Sequence, residues 1–246
     1  FGYISSKLRR LAELVVRDRV VKRKLQLYDR FLQVFLSPDS QLKYLGKNID
    51  PDLRTAVAKY VRSDMTVFDV GANCGVFGFL SILNGCQKIF FFEPDLFLVN
   101  LIERTIKLNN LSDFCVVIPA AMGKGSGILK FDIASRGRAS NSLSNFGRLQ
   151  KGGVRCTKEV MASSLDVFKD SVSGPVFLKV DVEGAELLVL EGGYNFLKEI
   201  RPNVIIEVSS DNSNLIKKMF SELEYSCHEI FKNNLFFSHS RNGDIS

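Results

Sequence analysis

Short runs of consecutive apolar residues, each followed by a segment with helical spacing, constrain this chain more than any other feature. TVFDV (Thr66 to Val70), KIFFFE (Lys88 to Glu93), FCVVI (Phe114 to Ile118), VFLKVD (Val176 to Asp181) and NVIIEV (Asn203 to Val208) read as strands. Between and after them, Gly75 to Leu83, Pro94 to Leu108, Ala185 to Leu190 and Ser213 to Leu223 read as helices. Strands that are apolar on successive positions must be covered on both faces, and such alternation builds a parallel sheet with helices on either side. Cys227 to Lys232 and Leu235 to Ser238, separated by Asn233 and Asn234, predict a closing antiparallel hairpin. The expected class is α/β: a doubly wound, Rossmann-like, mostly parallel sheet.

At 246 residues and 46% hydrophobic, the chain can bury one large domain of this kind plus an extension. Residues 49–246 are assigned to that domain and residues 1–48 to a basic amphipathic helical extension. Within the extension Leu8, Leu11, Leu14 and Val15, then Leu25, Tyr28, Leu32 and Phe35, are mostly three or four apart with basic residues between. It packs on the domain or on a second copy, or lies on an anionic membrane. Asp50, with Pro51 at the first helical position, is expected to cap a further helix to about Val61.

Charge and cysteines narrow the function classes. The net charge is +6, and Phe1 to Leu36 holds nine Lys or Arg against three Asp or Glu, so the remainder balances. A neutral body argues against nucleic acid as the main partner. Five scattered cysteines without a C-x-x-C argue against a disulfide framework or zinc site and are expected in the core. No run of about 18 apolar residues and no secretory leader is evident, so the expected location is the cytosol, with peripheral membrane contact through residues 1–36 left open.

The stretch VFDVGANCGVFGF, Val67 to Phe79, ends the first strand in Asp69 and opens a loop with Gly71, Gly75 and Gly78. In a doubly wound sheet this turn borders the ligand crevice, and glycines let the backbone approach a ligand. A dinucleotide site would have glycine where Asn73 stands. Asp69 would repel phosphate but suits a cationic amino-acid group. Glu93, ending the next strand, is placed to accept both hydroxyls of a ribose. A nucleoside with a cationic amino-acid tail meets these conditions, and S-adenosylmethionine is such a ligand.

FLKVDVEGAE, Phe177 to Glu186, is the second constellation. Lys179 and Asp181 are two apart, so they share a strand face, and Asp181 falls at the carboxyl end beside the crevice. A lysine buried in such a strand must be paired. Asp181, Lys179 and Glu183 are the candidate catalytic residues; Glu186 suits a helix start, and Glu207 could face the same crevice. The two histidines, His228 and His239, fall in the closing hairpin and are read as structural or exposed.

VFDVGANCGVFG, FFEPD, the ASNSL beginning at Ala139, LKVDVEGAELLVLEGG and RPNVIIEV together resemble the successive motifs of the FkbM family of S-adenosylmethionine-dependent methyltransferases, over about Asp50 to Ser209. The resemblance implies a class I methyltransferase fold with seven strands in the order 3-2-1-4-5-7-6, and usually O-methylation of a sugar or polyketide-like hydroxyl. It implies that Asp69, Gly71, Asn73 and Gly75 surround the methionine part of S-adenosylmethionine, that Glu93 holds the ribose, and that S-adenosylhomocysteine is the product. Asn141 and Ser142 fall in its serine-rich motif and are assigned to the cofactor side. No metal is predicted, although a divalent ion at Asp181 and Glu207 is an alternative within the same chemistry.

The acceptor pocket is expected from Ile128 to Val160, where Arg136, Arg138, Arg148 and Arg155 suggest an anionic or lipid-linked glycan. A solvated surface loop is the plain alternative for that segment. The competing functions are methylation of RNA or another nucleic acid, and a non-catalytic cofactor-binding scaffold docked through its N-terminal helices.

Overall fold

The computed structural model describes residues 12–46, 49–146, 153–208, 211–231 and 233–239. In chain order the elements are β1 (Val21–Leu27), β2 (Arg30–Leu36), α1 (Pro51–Tyr60), β3 (Thr66–Val70), α2 (Val76–Leu83), β4 (Lys88–Phe92), α3 (Leu96–Leu108) and β5 (Cys115–Ile118). There follow β6 (Ala121–Met122), β7 (Gly127–Ala134), β8 (Ser142–Leu143), β9 (Val154–Ser163), β10 (Val176–Val180), α4 (Glu186–Glu191), α5 (Tyr194–Ile200), β11 (Asn203–Glu207), α6 (Ser213–Glu222), β12 (Tyr225–Phe231) and β13 (Asn234–His239).

The central sheet runs β5-β4-β3-β10-β11-β13-β12, which is the expected order 3-2-1-4-5-7-6. Its first five strands are parallel and β13 enters antiparallel to β11. The chain reverses its winding direction between β3 and β10, so the ends of these neighbouring strands open the crevice in which such sheets bind ligands. Every residue of β3 and β10 is buried, as the continuous apolar runs require. One sheet face packs on α2 through Val67, Ile89, Phe91 and Phe177, the other on α4 to α6 through Phe68, Phe92, Leu178 and Ile206. Helix α2 is buried along its whole length, and Gly78 explains how it lies so close: a Cβ there would come 2.2 Å from the Phe91 ring.

The N-terminal reading needs correction. Val21 to Leu36 is an antiparallel hairpin, not helix, with Val21 opposite Leu36 and Leu27 opposite Arg30. The apolar residues that looked helical also obey a period of two: Leu25 and Leu27, then Leu32, Val34 and Leu36, are buried on one face while Lys22, Lys24 and Phe31 are exposed on the other. Tyr28 takes a left-handed φ of 53° at the tight turn, a conformation that composition did not advertise. The hairpin's inner face belongs to the same core as Phe79, Ile102 and Ile106, so this part of residues 1–48 packs as a layer of the domain. The helical expectation for residues 1–11 lies outside the described residues. Among the described residues no helix is long and apolar enough to cross a membrane.

Two smaller expectations also change. Asp50 takes a left-handed φ of 46° and caps α1 without a side-chain hydrogen bond; its carboxylate accepts from Lys43 Nζ at 2.6 Å. Cys74 and Cys86 are core residues, but Cys156 and Cys227 are exposed.

Between β5 and β10 a second sheet of order β6-β9-β7-β8 forms beside the crevice. It is built from the Ser-, Arg- and Gly-rich stretch expected to shape the acceptor side. Phe131, Ile133 and Leu143 anchor it against Ala185 in a small separate core.

Candidate active site

The loop after β3 passes through three left-handed residues, Gly71 (φ 72°), Asn73 (φ 54°) and Gly75 (φ 76°). Such backbone costs an L-residue roughly 1–2 kcal/mol and is tolerated by glycine and, less well, by asparagine. Gly71 is also sterically required: a Cβ would lie 1.9 Å from the carbonyl oxygen of Asp181. Asn73 earns its place through its side chain. Its Oδ1 accepts from Ser40 Oγ at 2.5 Å and from Cys74 N–H at 2.8 Å. Its own N–H donates to Glu93 Oε2 at 2.8 Å, while Asp95 N–H donates to Glu93 Oε1 at 2.9 Å.

Asp69 does not line the crevice. It is 0% exposed beneath the loop, accepts from Gly78 N–H at 3.1 Å and thus holds the start of α2 to the end of β3. Lys179 stands opposite it in the strand register and reaches Asp69 Oδ1 at 3.1 Å, Asp181 Oδ2 at 3.4 Å and the carbonyl of Gly71 at 3.1 Å. Burial alone would lower the Lys179 ammonium, but Asp69 and then Asp181 hold it well above its ordinary value. One buried cation therefore ties together the loop, β3 and the end of β10.

Asp181 and Glu183 come out at the crevice wall, together with Gly71, Asn73, Glu93 and Tyr44. Glu183 has a left-handed φ of 54° and stands exposed at the rim. Loss of surrounding water, then repulsion from Asp181, Glu207 and Glu186, pushes its carboxyl up to about 8. Glu93 is buried at the end of β4, and burial, opposed by the Asp95 and Asn73 N–H groups, pushes it up to about 8 as well. Burial drives the Cys74 thiol up to about 12, so this loop cysteine stays protonated and inert.

Asn141 lines the crevice and is fixed by two bonds: Oδ1 accepts from Ala134 N–H at 2.9 Å and Nδ2 donates to Asp95 Oδ2 at 3.1 Å. Ser142 is buried in β8 opposite Asp132 and lies behind the wall. The arginines of the insertion serve the protein itself. Arg138 is buried, donates to Asp95, to Asp39 at 3.0 Å and to Asp18 at 2.5 Å, and lies over the Phe97 ring at 4.3 Å. Arg155 bonds both oxygens of Asp39 at 2.9 and 2.8 Å. Burial opposes it, but Arg155 and Arg138 hold Asp39 below its ordinary carboxylate value. Arg136 pairs with Glu13 at 3.3 Å, and Arg148 lies outside the described residues. An anion-binding acceptor wall finds no support in the placement of Arg136, Arg138 and Arg155.

Four residues of this region were not singled out by sequence: Asp39, Ser40, Tyr44 and Asp95. Asp95 sits in the FFEPD motif and caps α3 by accepting from Phe97 N–H at 3.1 Å, a role that the spacing Asp-x-Phe at a helix start could have signalled. The other three come from a loop remote in sequence, and no local pattern marks them.

The crevice fits an adenosyl methyl donor better than a dinucleotide. A carboxylate stands where a ribose would be held, Gly71 leaves room for close backbone approach, and the two cations on the wall, Lys179 and Arg138, are already engaged by carboxylates, leaving neither for a pyrophosphate. Among the described residues no group of three or more His, Cys, Asp or Glu is placed to hold a metal ion.

Sheet order and crevice together define the class I methyltransferase fold. The profile of the methyltransferase FkbM domain matches residues 69–230, more than half of the chain; the chain belongs to the FkbM methyltransferase family. Methyltransferase FkbM from Methylobacillus flagellatus KT is similar in structure, with a TM-score of 0.50 and 19% identity over 72% of this chain. This chain spans only 44% of that protein's length. The tRNA m1G37 methyltransferase of M. jannaschii aligns at a TM-score of 0.47 and 13% identity, over 97% of this chain and 67% of its own. The precorrin-6y C5,15-methyltransferase of Geobacter metallireducens GS-15 aligns at 0.40 and 12%, over 75% and 85%. No curated protein matches the chain.

Proposed function

We propose that the protein is an S-adenosylmethionine-dependent O-methyltransferase acting on a hydroxyl of a glycan or related polyhydroxylated small molecule. The observation that carries this reading is the pair Asp181 and Glu183 at the rim of the crevice, on the wall shared with Gly71, Asn73 and Glu93. S-adenosylmethionine supplies an electrophilic methyl group on a sulfonium that is already a good leaving group. The chain has to bind it, orient an acceptor oxygen and receive that oxygen's proton.

Gly71 and Asn73 present backbone to the amino-acid end of the donor, and Glu93 presents its carboxyl group to the ribose hydroxyls; Gly75 packs against Phe79 and Ile102 and shapes the loop from behind. Asp69 acts from beneath, through Lys179 and the Gly78 N–H, by holding the loop in shape. Asp181 is half-buried, with 35% of its side chain exposed, and is steadied by Lys179; it orients the acceptor hydroxyl. Glu183, with its carboxyl raised towards neutral pH, is matched to taking a proton near pH 7 to 8. The second sheet closes one side of the site through Phe131 and Leu143 and keeps water away from the transfer.

The test is a mass-spectrometric screen for methyl gain on neutral, amino and phosphorylated sugars incubated with S-adenosylmethionine. Methyl gain on a hydroxyl, abolished in Asp181→Asn while S-adenosylhomocysteine still binds, supports the proposal. Methyl gain on RNA alone, or binding without transfer to any acceptor, defeats it.

A further inference from the structure

Helix α2 begins at the crevice with two donors to spare. It starts at Val76, after Gly75, and the N–H groups of Val76 and Phe77 have no acceptor among the described residues, whereas Gly78 N–H is taken by Asp69 at 3.1 Å. Both residues line the crevice. Free N–H groups in a first turn attract anions, but every helix has them, and alone they mark nothing. Tyr44 adds a second observation. It is only 2% exposed, it lines the same crevice, and its hydroxyl has no hydrogen-bond partner among the described residues without being sealed from that space. Burial, then Cys74, Asp50, Asp181 and Asp69, raises the phenol well above its ordinary value, so the hydroxyl keeps its proton and is available as a donor. The N-terminal layer holds it in place: the single turn Leu42–Leu45 carries Tyr44, and Arg23 of β1 donates to the carbonyls of Tyr44 at 3.0 Å and Leu45 at 3.1 Å.

We propose that the start of α2 and the Tyr44 hydroxyl form a site for the amino-acid carboxylate of the methyl donor, with Tyr44 supplied from outside residues 69–230, the span that the family profile matches. The inference rests on the methyltransferase reading above and deepens it. With the ribose on Glu93, the amino-acid end of the donor lies beside the loop from Gly71 to Gly75, where α2 begins. Neutral donors from two backbone groups and one hydroxyl suit a singly charged group with two oxygens. A phosphate would need a cation, and the cations nearby are taken: Lys43 meets Asp50 at 2.6 Å, and Lys179 meets Asp69 and Asp181 at 3.1 and 3.4 Å. The same pairings offset the repulsion that these aspartates would exert on a carboxylate. The hairpin β1–β2, through Arg23, thereby keeps a ligand contact in position.

The experiment is titration calorimetry on the full chain and on Tyr44→Phe with two ligands, S-adenosylhomocysteine and decarboxylated S-adenosylhomocysteine, which lacks the carboxylate alone. Tyr44→Phe removes an oxygen that bonds nothing described in the protein, so the variant folds as the unaltered chain does. The unaltered chain should bind S-adenosylhomocysteine roughly tenfold or more tightly than its decarboxylated form. Tyr44→Phe should weaken S-adenosylhomocysteine roughly tenfold and leave the decarboxylated form within about twofold, a change of selectivity that a merely structural role would not produce. A Tyr44→Phe effect that is absent, or the same for both ligands, would overturn the proposal. If the unaltered chain binds both ligands equally well, the carboxylate site fails and the cofactor reading stands; if it binds neither, the cofactor reading fails and takes the site with it.

Discussion

Replacing Glu93 by Gln should change how folding stability responds to pH. In the folded chain burial raises the Glu93 carboxyl from an ordinary value of 4.5 to about 8, so the native state keeps this proton over a range in which the unfolded chain has lost it. The stability contributed by protonated Glu93 is fully present below 4.5 and is lost as pH rises through 8. Between pH 6 and pH 9 the loss is on the order of 3 kcal/mol, from the two titration curves and about 1.4 kcal/mol per pH interval. For a domain of this size that corresponds to a melting temperature about 6–12 °C lower at pH 9 than without the group. Gln cannot titrate, so its variant should lack this component. Any fixed cost of turning an amide towards the Asn73 and Asp95 N–H groups applies at both pH values and cancels in the slope. Glu183 titrates in both proteins and cancels too. Melting followed by circular dichroism from pH 6 to pH 9, without ligand, measures the difference; parallel pH dependences for the two proteins would refute the burial argument for Glu93.

Gly71→Ala puts a Cβ 1.9 Å from the Asp181 carbonyl at a φ of 72°, so the loop must move; calorimetry should find S-adenosylhomocysteine affinity lowered at least tenfold, or about 1.4 kcal/mol, and unchanged affinity would mean the loop is not part of the site. Arg138→Met leaves Asp95 and Asp39, 0% and 2% exposed, without their shared cation, a loss of about 3 kcal/mol that thermal melts should register as a drop of roughly 6–12 °C; a melt within a degree or two of the unaltered protein would contradict the clasp. Asp181→Asn should lower kcat by roughly 100-fold or more with S-adenosylhomocysteine binding changed only a few-fold, and a variant that transfers methyl at the original rate would remove Asp181 from the mechanism.

The parallel sheet was legible because burial on both faces leaves a direct mark: KIFFF and VFLKV admit few other readings. Glycine positions were legible for the same reason, since Gly71 and Gly78 answer to contacts of 1.9 and 2.2 Å that any side chain would violate. The hairpin at Val21 to Leu36 was not, because Leu25 with Leu27, and Leu32 with Val34 and Leu36, keep a period of two while Leu25 and Leu32, seven apart, also fit a helical spacing, and only the α2–α3 face it covers decides between them. Long-range pairing was the other blind spot. Lys179 was expected to need a partner, but that Asp69 shares its place in the register follows from β3 and β10 being neighbours. Arg138 and Arg155 looked like substrate-binding residues because the aspartates that engage them, Asp39 and Asp18, lie 99 to 120 positions away.

The measurement that bears most directly on the central claim is equilibrium binding of S-adenosylhomocysteine and of NAD to the intact chain and to Glu93→Ala. The account predicts that the adenosyl ligand binds and NAD does not, and that Glu93→Ala weakens the adenosyl ligand at least tenfold, the loss of a hydrogen-bonding partner to the ribose hydroxyls. Binding of NAD without S-adenosylhomocysteine, or an adenosyl affinity indifferent to Glu93, would contradict it.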